Sequence, residues 1–243
     1  QRTIRTAELE GEPAYTHLQA GRQLASLGEW VLAGEAFRQA VLARPDYAEA
    51  WALLGEARQQ VGDDAGQALA DLEQALALKP DSALVSGLLA LYWERQGELE
   101  KRIACLAAAA AAEPESPTWQ AEWGRALALG GDLHAAQEHY EAAVQLAPQD
   151  VAYLRLLAEF SLRYDLDVEH IALTAARRAL EDQPDEAAVL HLLGEVYLSL
   201  GNDLMAERFL RRAIAAKPEY APAWMHLGAL YLHRGEGERG HSL

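Results

Sequence analysis

The chain of 243 residues has a single cysteine, Cys105. An internal disulfide is therefore excluded, and we expect a partly buried structural thiol instead of a reactive one. Phenylalanine is scarce, and no segment alternates between apolar and polar residues with the period of two that is typical of strands. Alanine, the strongest helix former, supplies much of the apolar content. The composition favours an all-helical fold.

Basic residues are also few, with 21 Lys and Arg against 37 Asp and Glu, which gives a formal net charge of −16. Nucleic-acid binding needs a basic face, and an acidic surface is repelled by anionic lipids. The longest apolar run, residues 103–112, is shorter than the roughly 20 residues of a spanning helix. We therefore expect no nucleic-acid partner and no membrane contact within this chain.

Signals for catalysis and for targeting are missing as well. The motifs GxxxxGK[ST], HExxH, CxxC and GxSxG do not occur, and no nucleophile–base pair stands out. We expect no catalytic residue, no cofactor and no enzymatic activity.

No signal peptide is recognisable, but the first residue is Gln1 instead of Met. A cytoplasmic location is favoured, and an exported or membrane-anchored protein is the alternative.

Residues 163–170 contain the arrangement in the sequence that comes nearest to a metal site. Carboxylates and an imidazole lie close together there, at Asp165, Asp167, Glu169 and His170. Such groups can bind a cation, but the spacing matches no EF-hand loop. We expect a solvated polar loop, and we expect no metal ion in the chain.

Prolines recur at a nearly fixed spacing of 34 to 36 residues, at Pro45, Pro80, Pro114, Pro148, Pro184 and Pro218. The segment 46–80 shows the unit that each proline closes. Its first half places Trp51, Leu54 and Gly55 on one helical face, and its second half does the same with Ala68, Leu72 and Ala75. A period near 34 residues indicates an array of helical hairpins.

The pattern resembles the tetratricopeptide repeat family. A small residue stands at position 8 of every unit, at Gly21, Gly55, Ala90, Gly124, Ala158, Gly194 and Gly228. Position 27 is alanine in six units, at Ala40, Ala75, Ala109, Ala143, Ala179 and Ala213. Position 20, which faces position 8, is also small except for Arg102, whose long side chain must snorkel or push the helices apart.

The resemblance implies an all-α, right-handed solenoid of antiparallel helix pairs with about thirteen helices. We place an N-terminal extension at 1–13 and a capping helix or truncated seventh repeat at 221–243. Six repeats lie between them, at 14–47, 48–82, 83–116, 117–150, 151–186 and 187–220. Two residues are inserted between the helices of the fifth repeat, and one in the turn around Asp63 and Asp64.

In this family the first helix of each repeat lines a concave groove that binds ligands. The corresponding positions hold as many arginines as glutamates, so the groove is expected to be near neutral. Leucine recurs at one of these positions in three successive repeats, which predicts an apolar stripe. The expected ligand-binding residues are Arg125, Leu129, Arg155, Glu159, Leu162, Arg163, His191, Glu195, Leu198, Met225 and Leu232.

The resulting prediction is a non-enzymatic scaffold that binds a peptide or a partner protein of unknown identity in this groove. The Lys and Asn pattern with which chaperone-binding relatives hold a terminal carboxylate is absent. The alternative is a repeat module of a larger protein, such as an enzyme, whose catalytic or anchoring part lies outside this chain.

Overall fold

The computed structural model describes residues 12–62 and 65–235, which form thirteen α-helices and no strand. The predicted all-α fold with about thirteen helices is confirmed. The helices are α1 Pro13–Ser26, α2 Trp30–Ala43, α3 Ala48–Val61, α4 Ala65–Leu78, α5 Ala83–Gln96, α6 Leu99–Ala112, α7 Pro117–Gly130, α8 Leu133–Leu146, α9 Val151–Tyr164, α10 Ala172–Asp182, α11 Ala187–Ser199, α12 Asp203–Ala216 and α13 Ala221–His233.

Three of the expectations lie partly or wholly outside the described residues. They concern most of the N-terminal extension at 1–11, the extra residue at Asp63 and Asp64, and the tail at 236–243. The exact division of the chain into repeats stays a prediction.

The helix ends follow local sequence signals. Side-chain oxygens cap helix N-termini, as where Asp132 accepts a hydrogen bond from the amide of Ala135 and Asn202 accepts one from Met205. Such caps satisfy amides that the helix itself leaves unpaired. Gly97 ends α5 with a φ of 74°, a left-handed conformation that glycine adopts without steric cost. Short connections then turn the chain back on itself.

Within a hairpin, the two helices approach closely where the sequence has its small residues. A Cβ atom on Gly55 would lie 2.9 Å from the carbonyl oxygen of Ala68, and one on Gly124 would lie 3.0 Å from that of Ala136. The first distance is shorter than real Cβ contacts, and the second is tighter than most of them. In these two hairpins a small residue at position 8 is favoured because the backbone of the facing helix lies so close.

Arg102 departs from the small-residue pattern, and the structure shows how it is accommodated. The residue is only 4% exposed. Its Nη1 lies 3.0 Å from Oε1 of Glu94 on α5. A buried cation needs such a partner, since its transfer from water is costly.

By their contacts the described helices form two compact units, one that ends at Glu115 and includes Ala126–Gly131, and one of Ser116–Arg125 with the helices that follow Asp132. Each has its own apolar core. Phe37, Leu18 and Leu72 are fully buried in the first unit, and Leu190, Leu210 and Tyr231 in the second. No described helix combines the length and the apolarity that crossing a bilayer requires.

The connection between α9 and α10 spans residues 165–171, longer than the neighbouring hairpin connections at 131–132 and 200–202. It contains Asp165 and Asp167 with φ of 53° and 42°. Aspartate tolerates this left-handed region better than most residues. Val168 is buried within the loop, so the insertion is anchored by one apolar side chain.

Candidate functional site

The candidate site lies in the second unit, where the first helices of successive hairpins are neighbours. Helix α9 contacts α11, and α11 contacts α13. Residues of these helices that face away from their hairpin partners therefore share one surface. This is the surface for which the sequence predicts a ligand-binding groove.

A cleft of about 490 Å³ opens on this surface. Six of the eleven predicted groove residues line it, and the structure thus brings them together. The lining residues are Arg155, Glu159, Leu162, Arg163, Ala188, His191, Leu192, Glu195, Tyr220 and Pro222. The lining thus combines arginine and glutamate side chains with aromatic rings and apolar side chains.

Arg155 and Glu159 form an ion pair across one turn of α9. Nη2 of Arg155 donates a hydrogen bond to Oε1 of Glu159 at 3.2 Å. The Nε of the same guanidinium is buried and has no hydrogen-bond partner among the described residues. A buried donor without an acceptor is costly.

His191, Glu195 and His226 form a compact group beside the cleft. His191 Nε2 and His226 Nδ1 are 2.8 Å apart, and the two rings stack with centroids 4.9 Å apart. Glu195 approaches both imidazoles, at 3.4 Å from Nδ1 of His191 and 3.6 Å from Nδ1 of His226. Among the described residues, this is the group whose arrangement suits a metal ion.

Burial dominates the electrostatics of this group. It lowers the pKa of His191 to about 4, and the charges of His226 and Arg155 act in the same direction. A hydrogen bond to the backbone of Pro222 opposes them. Burial also raises the pKa of Glu195 to about 6, with a contribution from Glu159. Both imidazoles are therefore neutral at pH 7, since burial lowers the pKa of His226 as well.

The other predicted groove residues lie elsewhere on the described surface. Met225 and Leu232 on α13 are 69% and 56% exposed. Leu198 is partly buried on α11. Arg125 pairs with Glu122 one turn away in the second unit, and Leu129, which is 58% exposed, belongs to the first unit.

Sequence reasoning missed His226 and Tyr220. Tyr220 precedes α13 and presents its ring edge to His191, with centroids 5.4 Å apart. His226 was overlooked because it lies one residue beyond an expected groove position. A signal was available, since the 35 residues between His191 and His226 differ by one from the 34-residue period, and positions one repeat apart lie on neighbouring helices.

The predicted metal-free loop contains one close pair. Nδ1 of His170 and Oδ1 of Asp167 are 2.6 Å apart, and both side chains are largely exposed. A hydrogen bond between them raises the pKa of His170. The absence of a metal ion from this loop stays a prediction.

Two kinds of comparison connect the chain to known proteins. A model of the tetratricopeptide repeat matches residues 124–150 and 187–220. The protein CTR9 homolog of Arabidopsis thaliana is 26% identical over 236 residues, which cover 93% of the chain and 21% of that protein. The chain thus spans about a fifth of the length of this relative.

Solved structures share the fold. PilW, described as a type IV pilus biogenesis factor, has a TM-score of 0.72 with 19% identity, over 88% of this chain and 98% of its own. YrrB, described as a tetratricopeptide repeat protein with an unusual peptide-binding site, has a TM-score of 0.62 with 19% identity, over 78% and 96%. The predicted solenoid of helix pairs is confirmed by this likeness.

Proposed function

Because the chain is a tetratricopeptide repeat protein, we propose that it is a non-enzymatic scaffold that binds a peptide or a segment of a partner protein on the α9–α11–α13 surface. Proteins of this family are generally non-catalytic scaffolds. The cleft lined by Arg155, His191 and Tyr220 is the observation on which the proposal depends. It has the convergent polar groups and the concavity of a binding site.

The charge of Arg155 indicates what the ligand offers. Its side chain lines the cleft, is 38% exposed and pairs with Glu159 through one of its nitrogens. A backbone carbonyl or a carboxylate of a bound peptide would accept a hydrogen bond from the exposed part of the guanidinium. The ligand is therefore expected to present an oxygen acceptor to α9.

Apolar side chains on the same surface also support a peptide as the ligand. Met225 and Leu232 are largely exposed on α13, and Leu162 lines the cleft. Exposed apolar groups beside polar ones are typical of surfaces that anchor a helical or extended peptide. The flexible thioether of Met225 adapts to ligands of different shape. YrrB, whose description names a peptide-binding site, supports this choice of ligand class.

Random peptides displayed on phage and selected against the chain test the proposal. The selected peptides are then titrated against Leu162→Glu, Leu198→Glu and Leu204→Glu, with circular dichroism as the check on folding. Leu204 is the matched control, because it is 75% exposed on α12, the second helix of its hairpin. We expect the first two changes to weaken binding by at least about ten-fold, or ~1.4 kcal/mol, and the control to leave it unchanged.

Two results would reject the proposal. One is a selection that yields no saturable binder. The other is a set of peptides that bind all three folded variants equally, which would place recognition on another surface. A screen of the chain for hydrolase and transferase activity tests the non-enzymatic part, and turnover that increases with protein concentration would contradict it.

A further inference from the structure

The group of His191, Glu195 and His226 has the composition of a metal site, a property that the peptide-binding proposal does not require. Two imidazoles and one carboxylate offer ligand atoms that all lie within 4.8 Å of one another. Glu195 follows His191 by four residues on α11, so both side chains project from the same face of that helix. His226 comes from α13, the helix that follows the α11–α12 hairpin.

We infer that these three residues bind a divalent transition-metal ion, with Zn²⁺ as the ion expected. Imidazole nitrogen and carboxylate oxygen are the ligands that zinc accepts from proteins, and two His with one Glu is a set that holds zinc with a coordination position left open. Calcium and magnesium prefer sites made of oxygen atoms alone, which this group does not provide.

The ligand atoms lie close to the spacing that such an ion requires. Zinc bonds of about 2.0–2.1 Å in tetrahedral geometry place neighbouring ligand atoms roughly 3.4 Å apart. Oε1 of Glu195 lies 3.6 Å from Nδ1 of His226, and Nε2 of His191 lies 2.8 Å from the same Nδ1. The two imidazole nitrogens must therefore separate by several tenths of an ångström to share one ion with Glu195.

The surroundings favour an ion that stays in place. His191 is 8% exposed, and its stacking on His226 fixes the two rings at 19° to each other. The positive charge of Arg155 opposes a cation nearby, but its ion pair with Glu159 offsets that charge. The site therefore combines one buried ligand with two partly exposed ones.

Binding would have a structural consequence that is independent of any peptide. Two ligands belong to α11 and one to α13, so the ion would join the α11–α12 hairpin to the helix that follows it. An ion that binds only the folded state stabilises that state. His191 and Glu195 also line the cleft, so the open coordination position would be accessible to water or to a group from a partner.

Calorimetric titration of the metal-free full chain with zinc chloride tests this inference, together with the visible spectrum after addition of cobalt. We expect one ion per chain, cobalt bands of tetrahedral type and a rise in the thermal midpoint with zinc. Glu195→Gln and His226→Ala should each weaken binding by at least about ten-fold and abolish the rise in the midpoint.

His170→Ala is the matched control, since it removes an exposed histidine that lies next to a carboxylate, Asp167, in the same unit. It should leave stoichiometry and affinity unchanged. The inference is wrong if the wild-type chain shows no saturable zinc heat. It is also wrong if Glu195→Gln and His226→Ala bind zinc like the wild type, or if His170→Ala alone loses the site. None of these results depends on peptide binding.

Discussion

Arg95 donates two hydrogen bonds to the carboxylate of Glu56, at 2.8 and 2.9 Å, and so joins α5 to α3. Glu56 is 7% exposed, and Gln60 donates a further hydrogen bond to it at 2.7 Å. Both charged residues lie on the first helix of their hairpin. In this hairpin pair the charges satisfy each other, so they hold adjacent repeats together.

We predict that Arg95→Ala lowers the free energy of unfolding by about 1–3 kcal/mol, because it leaves a buried carboxylate without its cation. Chemical denaturation measures the change. Glu56→Gln in the Arg95→Ala background should recover part of it. Arg38→Ala is the control, since its pair with Glu35 is about half exposed, and it should change stability less. Equal losses at the two sites would contradict the structural role of Glu56.

Gly124→Leu should destabilise the chain by overpacking. A Cβ at this position would lie 3.0 Å from the carbonyl oxygen of Ala136 and 3.3 Å from Cβ of His139. We expect a loss on the order of 1–3 kcal/mol in denaturant titrations. Gly228→Leu is the control, because no described atom lies within 4 Å of its Cβ position. An unchanged denaturation midpoint for Gly124→Leu would show that the helix register is wrong.

His139 should make stability depend on pH. Its ring stacks on Trp123 at 3.8 Å between centroids, and burial lowers the pKa of the imidazole below the unfolded value of 6.5. Below pH 6.5 the unfolded chain therefore binds a proton that the folded chain does not, and stability falls as the pH is lowered. His139→Gln should show a smaller fall between pH 7.5 and 5.5 in denaturant titrations done with a chelator. An identical pH profile would contradict this assignment.

Cys105 should react slowly with thiol reagents. Burial raises the pKa of its thiol, which reduces the thiolate fraction at neutral pH. We expect iodoacetamide to label the native chain more slowly than it labels the chain in denaturant, as followed by mass spectrometry. Labelling at the same rate in both states would show that the thiol is accessible and not perturbed.

The hairpin pattern could be predicted from the sequence because its causes are local. Gly55 must be small because the carbonyl of Ala68 occupies its side-chain space, and Gly124 has the same relationship to the carbonyl of Ala136. The sequence likewise predicted six of the residues that line the cleft, among them Arg155 and His191. Equivalent positions of successive first helices are neighbours in the stack. The position of a residue within its repeat is therefore sufficient to predict that it lies on the cleft surface.

The partners of individual polar side chains were decided by the tertiary structure. The sequence identified Arg102 as a long side chain at a position where the paired helices approach closely. Only the tertiary structure shows that Glu94 is its partner. Glu56 and Arg95 lie 39 residues apart in the chain, and the packing of α5 against α3 brings them together. The sequence analysis did not pair His191 with another histidine. In the structure, Nδ1 of His226 on α13 lies 2.8 Å from Nε2 of His191. Helix periodicity determines which side chains share a face, but the rotation and separation of neighbouring helices determine which atoms meet, and these depend on the packing of whole hairpins.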